Sequence, residues 1–289
     1  MKITFKIIIV FLLILCACSK EEIQISPDNP GIYYQGRIGT SDSEFYEFYW
    51  PGTSVTIKTT GGNVYAKLRD DGGASYYNVI LDGEVTDIIR PEKKEKRYLL
   101  AKELPQGNHT VQLFRRTDYP KGTTRFYGFH VSQDAKLLAP ESSNLQMIFI
   151  GNSITTGFAN EDYSKQDRPD SIYTNNYMAY GAITARYFNA NYQCIARGGI
   201  GLMVSWYDLI MPQIYNLVNP NDKHSSYSPK DFKQRIVVVN LGQNDSWIIP
   251  NQDFNEYKNR FGDRNVDEEM IISAYKEFVL RVRTLYPQA

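Results

Sequence analysis

The chain has 289 residues, and its 32 basic side chains match its 32 acidic ones for a formal charge of zero. That length accommodates one large or two ordinary domains with a sizeable core, and the balanced charge excludes the basic footprint of a nucleic-acid binder. The 22 tyrosines suit sheet and core packing, and exposed ones on a β-rich protein also suit stacking on sugar rings.

The chain opens MKITFKIIIVFLLILCACSK, with Lys2 and Lys6 ahead of an unbroken apolar run from Ile7 to Leu15. This is the layout of a secretory signal, too short for a comfortable transmembrane helix. The run ends in Leu15-Cys16-Ala17-Cys18, which resembles a bacterial lipobox. That resemblance implies cleavage immediately before Cys18, lipidation of Cys18, and an exported, membrane-anchored lipoprotein facing the periplasm or the cell surface. An ordinary signal peptide with incidental cysteines is the alternative. With residues 1–18 read as signal, Cys194 remains, so no intramolecular disulfide is expected. Its place in the strand-like stretch Tyr192 to Ala196 reads as a buried, inert thiol. Residues 19–31 are polar with two prolines and read as a tether.

Residues 32–140 show short β-rich runs separated by turn signals and no helical period. The runs are Phe45–Tyr49, Ser54–Thr59, Val64–Arg69, Tyr76–Asp82, Tyr98–Leu104, Thr110–Arg116 and Phe126–Val131, punctuated by Pro51-Gly52, Gly61-Gly62, Asp71-Gly72-Gly73, Asp82-Gly83 and Pro105-Gln106-Gly107. Such spacing predicts an antiparallel, jelly-roll-like sandwich.

Residues 141–289 alternate apolar runs with helix-period segments. Met147–Ile150, Tyr192–Ala196 and Ile236–Leu241 read as strands, and Tyr177–Phe188 as a helix entered through Asn175 and Asn176. Met203–Leu217 reads as a further helical stretch. From Asp267 to Tyr286, apolar side chains at Ile271, Ala274, Tyr275, Phe278, Val282 and Leu285 form one stripe, which predicts a helix on one face of a sheet. Alternation of strand and helix implies a parallel α/β sheet. The chain closes at Tyr286-Pro287-Gln288-Ala289, where another buried strand would begin, so this domain is expected to be C-terminally incomplete.

Ligands collect at the carboxyl ends of parallel strands. After the first strand comes Gly151-Asn152-Ser153, after the second Arg197-Gly198-Gly199-Ile200-Gly201, and after the third Gly242-Gln243-Asn244-Asp245. A hydroxyl, glycine-freed amides and a carboxamide on one edge are the parts of an acyl-transfer site, namely a nucleophile and oxyanion donors. Each piece alone is weak, since a Gly-rich turn after a strand is usually just a turn. Their order and strand context give them weight.

These residues carry a family resemblance. "IFIGNSITTGF", "GGIGL" and "VVVNLGQND" resemble the blocks of the SGNH, or GDSL-type, hydrolases. The sandwich ahead of them, with "NVILDGE", "GNHTVQLFRRT", "FYGFHV" and "KLLAP", is similar to carbohydrate esterase family two, acetyl esterases of this two-part build. The resemblance covers nearly everything from Ile32 onward. It implies Ser153 as nucleophile, an oxyanion hole from the Ser153 amide, Gly199 and the Asn244 side chain, and no metal or other cofactor.

Two positions depart from the pattern. Asn152 stands where the family usually has Asp. The family's catalytic His lies beyond the GxND block, and only His109, His130 and His224 are present here. The expectation is therefore an esterase chain that lacks its proton acceptor, truncated before that residue. Trp247 is placed to stack on a sugar ring or to plug the core, and Arg197 and Asp245 serve either the site or its scaffold. The expected reaction is O-deacetylation of a plant-type polysaccharide such as acetylated xylan or glucomannan. Alternatives are a non-catalytic surface glycan-binding lipoprotein, and an esterase acting on another acetylated substrate.

Overall fold

The structure, a computed structural model, describes residues 21–229, 232 and 234–289. The predicted signal and the lipidation position Cys18 lie outside the described residues. The first eleven strands are β1 (Glu22–Ile25), β2 (Ile32–Gln35), β3 (Ile38–Gly39), β4 (Tyr46–Phe48), β5 (Ser54–Thr59), β6 (Gly62–Asp70), β7 (Tyr77–Leu81), β8 (Glu84–Ile89), β9 (Lys96–Leu104), β10 (His109–Arg115) and β11 (Thr124–Ser132). They make two antiparallel sheets, β3-β4-β11-β6-β9 with β1 also on β11, and β2-β5-β10-β7-β8.

The sandwich forms because period-2 alternation sends one set of side chains inward from each sheet. Val64, Ala66 and Leu68 of β6 meet Val55 and Ile57 of β5 and Val111 and Leu113 of β10, all fully buried. Phe126 stacks on Phe48 with ring centroids 5.7 Å apart and meets Phe129 edge-on at 4.9 Å. Each such side chain contributes roughly 1.5–3 kcal/mol on leaving water.

Two expectations need correction. Part of the predicted tether is a strand, since β1 pairs with β11 in the register Glu22↔Ser132 to Ile25↔Phe129. Strand β8 is not among the predicted strands because it lies at the sheet edge, exposed along most of its length, and shows no alternation. Its hairpin was visible in part, because Asp82 and Gly83 both take positive φ, 50° and 92°, as an Asp-Gly hairpin turn requires.

The second half builds a three-stranded parallel sheet, β13-β12-β14, from β12 (Leu145–Gly151), β13 (Asn191–Ala196) and β14 (Gln234–Asn240). Its helices are α1 (Ser153–Thr156), α2 (Tyr180–Tyr187), α3 (Met211–Ile214), α4 (Gln243–Ile248), α5 (Asn255–Phe261) and α6 (Glu268–Leu285). Strand β12 divides its side chains between two layers. Met147 and Phe149 pack with Ala182 and Ala185 of α2, while Ile148 and Ile150 pack with Phe278 and Val282 of α6. A Cβ on Gly181 would come within 2.8 Å of Phe149 Cγ, so this glycine lets α2 lie directly on the ring. Strand β14 occupies an edge, with Ile236 43 % exposed. Helix α6 has the predicted span, although Ile271 at the start of its stripe is exposed. The predicted helical stretch Met203–Leu217 is mostly loop and holds only the single turn α3, because a backbone clamp described below holds its first residues outside the helical conformation.

Buried arginines lock the two halves together. Arg37, between β2 and β3, donates to the carbonyls of Tyr215 and Leu217, both at 2.7 Å, and to Tyr286 Oη at 2.9 Å. Arg116 donates to the carbonyls of Thr174 and Ile172 at 3.2 and 2.9 Å and pairs with Glu161. Guanidinium suits this role because its fixed fork of donors satisfies several acceptors that would otherwise be stranded in the interface.

Candidate active site

Strand β12 runs out at Gly151, and the chain turns at once into α1. A Cβ on Gly151 would lie 2.0 Å from Thr155 Oγ1, so only glycine permits the turn. Asn152 caps α1 by accepting from the Ile154 amide at 3.1 Å, and Gly157 closes it in the left-handed conformation. Ser153 is thereby the first residue of a helical turn at a strand tip. It is half-buried, and its hydroxyl makes no hydrogen bond among the described residues. Asn152 is fully buried, and its Nδ2 has no partner among the described residues. Its side chain's one hydrogen bond among the described residues is this local helix cap.

Strand β13 ends at Ala196, and Gly199 follows with φ +78°. A Cβ there would meet Tyr207 Cε1 at 3.1 Å and Trp206 Cδ1 at 3.4 Å. The loop beyond is fixed by Asp245, whose carboxylate accepts from the amides of Leu202, Met203 and Val204 at 2.8, 2.6 and 3.0 Å. This decides the role of Asp245: it is a buried loop clamp and not a wall of the cavity.

Strand β14 leads through Gly242 into α4, which carries Asn244. The Asn244 Oδ1 accepts from Trp206 Nε1 at 3.0 Å, and its Nδ2 donates to the Ile200 carbonyl at 2.7 Å. An indole N–H can only donate, so the amide orientation is determined, and Nδ2 keeps a second hydrogen for a ligand.

Ser153, Gly199 and Asn244 line one cavity of about 430 Å³. Trp206, Tyr207 and Phe158 supply its apolar wall, and the sandwich contributes Asp118, Pro120 and Lys121. Asp118 accepts from the Gly198 amide at 3.2 Å, Tyr207 Oη donates to the Gly198 carbonyl at 2.9 Å, and Arg197 lies 3.5 Å over the Tyr207 ring while donating to Tyr119 Oη at 2.8 Å. Burial raises the Tyr119 and Tyr207 hydroxyls above their ordinary values. Loop geometry and cavity wall are thus set from both halves of the chain.

Trp247 does not join this cavity. Asn244, Asp245 and Ile248 form the buried face of α4, and Trp247 falls off it, 69 % exposed. Trp206 is the tryptophan in the wall, and the only sequence signal for it was an aromatic shortly after the Gly-rich turn. Among the described residues, no histidine lines the cavity. His109 sits in β10 with its Nδ1 2.8 Å from Asp82 Oδ2, His130 lies in β11, and His224 is on an exposed turn. Cys194 is buried, and burial pushes its thiol up to about 12, as suits an inert packing residue. Among the described residues no cluster of three or more His, Cys, Asp or Glu side chains could hold a metal ion.

A β-sandwich set ahead of a parallel α/β sheet, whose strand tips gather a serine, a glycine amide and a carboxamide around one cavity, is the architecture of the SGNH-type hydrolases. The profile of the carbohydrate esterase 2 N-terminal family matches residues 34–140. The cellulase/esterase CelE of Acetivibrio thermocellus is 30% identical over 264 residues, which are 91% of this chain and 30% of that protein. An acetylxylan esterase/glucomannan deacetylase of Cellvibrio japonicus is 30% identical over 208 residues, covering 69% of this chain and 56% of that protein. The structure of a family two carbohydrate esterase from Clostridium thermocellum in complex with cellohexaose superimposes with a TM-score of 0.77 at 31% identity, over 90% of this chain and 75% of that one. The chain belongs to carbohydrate esterase family two. It spans less than two thirds of the length of the two curated relatives named above.

Proposed function

We propose that the protein removes O-acetyl groups from a neutral polysaccharide such as acetylated xylan or glucomannan. The reading is carried by the convergence of Ser153, Gly199 and Asn244 on one cavity, and it agrees with the activities for which the Cellvibrio relative is named. Ser153 Oγ attacks the acetyl carbonyl and passes its proton to a general base. The amides of Ser153 and Gly199 and the free Nδ2 hydrogen of Asn244 receive the oxyanion. The sugar hydroxyl leaves with a proton, and water then cleaves the acetyl-serine to acetate. Trp206, 50 % exposed on the wall, offers a ring face to the sugar.

Residues 1–18 remain read as a lipoprotein signal with Cys18 lipidated, placing the enzyme at a membrane where polysaccharide is accessible. Mass spectrometry of the N-terminal peptide checks that assignment.

Acetate release from acetylated xylan and glucomannan by the full-length protein, set against Ser153→Ala, tests the reaction. Equal release by the two proteins sinks it. A second reading, glycan binding in the same cavity without turnover, is favoured by the location of His109, His130 and His224 away from Ser153. Saturable glycan binding with no Ser153-dependent acetate would establish it.

A further inference from the structure

A crevice between the sandwich and the α/β domain lies at the end of the parallel sheet opposite Ser153. One cavity of about 400 Å³ is formed where β2 meets the amino ends of β12 and β13, lined by Tyr33, Gln35, Asn144, Gln146 and Asn191. A second of about 330 Å³ lies between β5 and β10 of the sandwich and Tyr177 and Arg186 of the other half. Both share Tyr33 and Gln35, so they form one continuous groove. Its volume is in the range of ligand sites. The seven residues of β12 separate it from the Ser153 cavity by about 20 Å.

The lining specifies the chemistry of an occupant. Both cations that line it among the described residues are engaged: Lys58 pairs with Glu141, and Arg186 lies 3.6 Å over the Tyr177 ring while donating to the Tyr177 carbonyl at 2.7 Å. A phosphate or uronate would therefore find no available counter-charge. The amides are half-used in opposite senses. Gln35 Oε1 accepts from the Tyr192 amide at 3.3 Å and Gln146 Oε1 from Arg235 Nε at 2.8 Å, so each presents an NH₂ donor. Gln112 donates its Nε2 to Ser54 Oγ at 3.2 Å and presents Oε1 as an acceptor. Ligand hydroxyls both donate and accept, which matches such a mixed lining. The half-buried Tyr33 ring at the join supplies the apolar face on which a sugar ring packs.

We propose that this groove is a second glycan site, which holds a neutral oligosaccharide segment apart from the Ser153 cavity. It does not depend on Ser153 being catalytic; the proposed reaction guides only the choice of sugars to test. A polymer held there stays on the enzyme while its acetylated units are presented elsewhere, because tethering raises the local concentration at the first cavity.

The test titrates the full-length protein with cellohexaose, xylohexaose and mannohexaose, and with an oligogalacturonate of similar length. Trp206→Ala disables the Ser153 cavity and leaves the groove intact. That variant is expected to retain saturable binding of at least one neutral hexaose. Adding Tyr33→Ala, or separately Gln112→Leu, should weaken this binding at least tenfold while thermal unfolding shows a folded protein. Oligogalacturonate should bind at least tenfold more weakly than the best neutral sugar. The inference is overturned if Trp206→Ala binds none of the three hexaoses, if Tyr33→Ala and Gln112→Leu on that background leave affinity unchanged, or if oligogalacturonate binds equally well. Failure of acetate release alone overturns the proposed reaction and not this site.

Discussion

Trp206 donates its indole N–H to the Asn244 carboxamide oxygen at 3.0 Å, and that bond fixes the orientation of the amide in the cavity that Ser153 also lines. A residue of the loop after β13 therefore orients a donor on α4. Trp206→Phe preserves an aromatic wall but releases the amide to rotate. Loss of one hydrogen bond of roughly 1 kcal/mol predicts a fall of about fivefold in kcat with little change in KM. Steady-state acetate release on acetylated xylan checks the split, and an effect confined to KM argues against the orienting role.

Asn244→Ala removes the donor itself. Deleting one oxyanion donor elsewhere costs about 10²–10³ in kcat, and the same range is expected here. The Ile200 carbonyl also loses its partner, so a thermal melt accompanies the kinetics to separate chemistry from stability.

Gly199→Ala places a side chain at φ +78°, with its Cβ 3.1 Å from Tyr207 Cε1. Backbone strain of about 1–2 kcal/mol moves the loop, and a displaced oxyanion amide is expected to lower kcat roughly a hundredfold. Wild-type turnover in this variant would remove Gly199 from the hole.

Asp245→Ala strands three backbone donors, those of Leu202 and Val204 buried and that of Met203 partly buried. The expected loss is about 3 kcal/mol, seen as a fall in Tm of roughly 6–12 °C. A melt unchanged within a degree refutes the clamp.

His130 gives a pH signature. Burial, and then Arg97 beside it, hold its imidazole below the ordinary value. The unfolded chain therefore binds this proton more readily than the native protein. Stability is fully present above about pH 6.5 and falls as pH drops below it. Denaturant midpoints measured from pH 7.5 to 5 should fall less steeply in His130→Gln, and identical slopes would show that the residue does not contribute.

The pattern of side chains made much of the fold legible. Alternation located β5, β6, β10 and β11, because each strand buries one face. The apolar run Met147–Ile150 located β12, because both of its faces are covered. Strand β1 escaped notice for the opposite reason: it is a short edge strand whose pairing with β11 is a long-range contact that no local pattern announces.

The sequence by itself determined the order of the parts and the chemistry available at each strand tip: the hydroxyl of Ser153, the glycine backbone at Gly199 and the amide of Asn244 follow successive strands of a parallel sheet, whose carboxyl ends must share an edge. Only the tertiary structure decided which way the remaining side chains point. It turned Trp247 to solvent and Trp206 into the wall, made Asp245 a clamp, and brought Asp118 and Lys121 across from the sandwich. The physical reason is that strand order follows from local periodicity and connection length. The rotation of a helix and the docking of one domain on another depend on contacts between residues far apart in the chain, such as Arg37 with Tyr286, which leave no local trace.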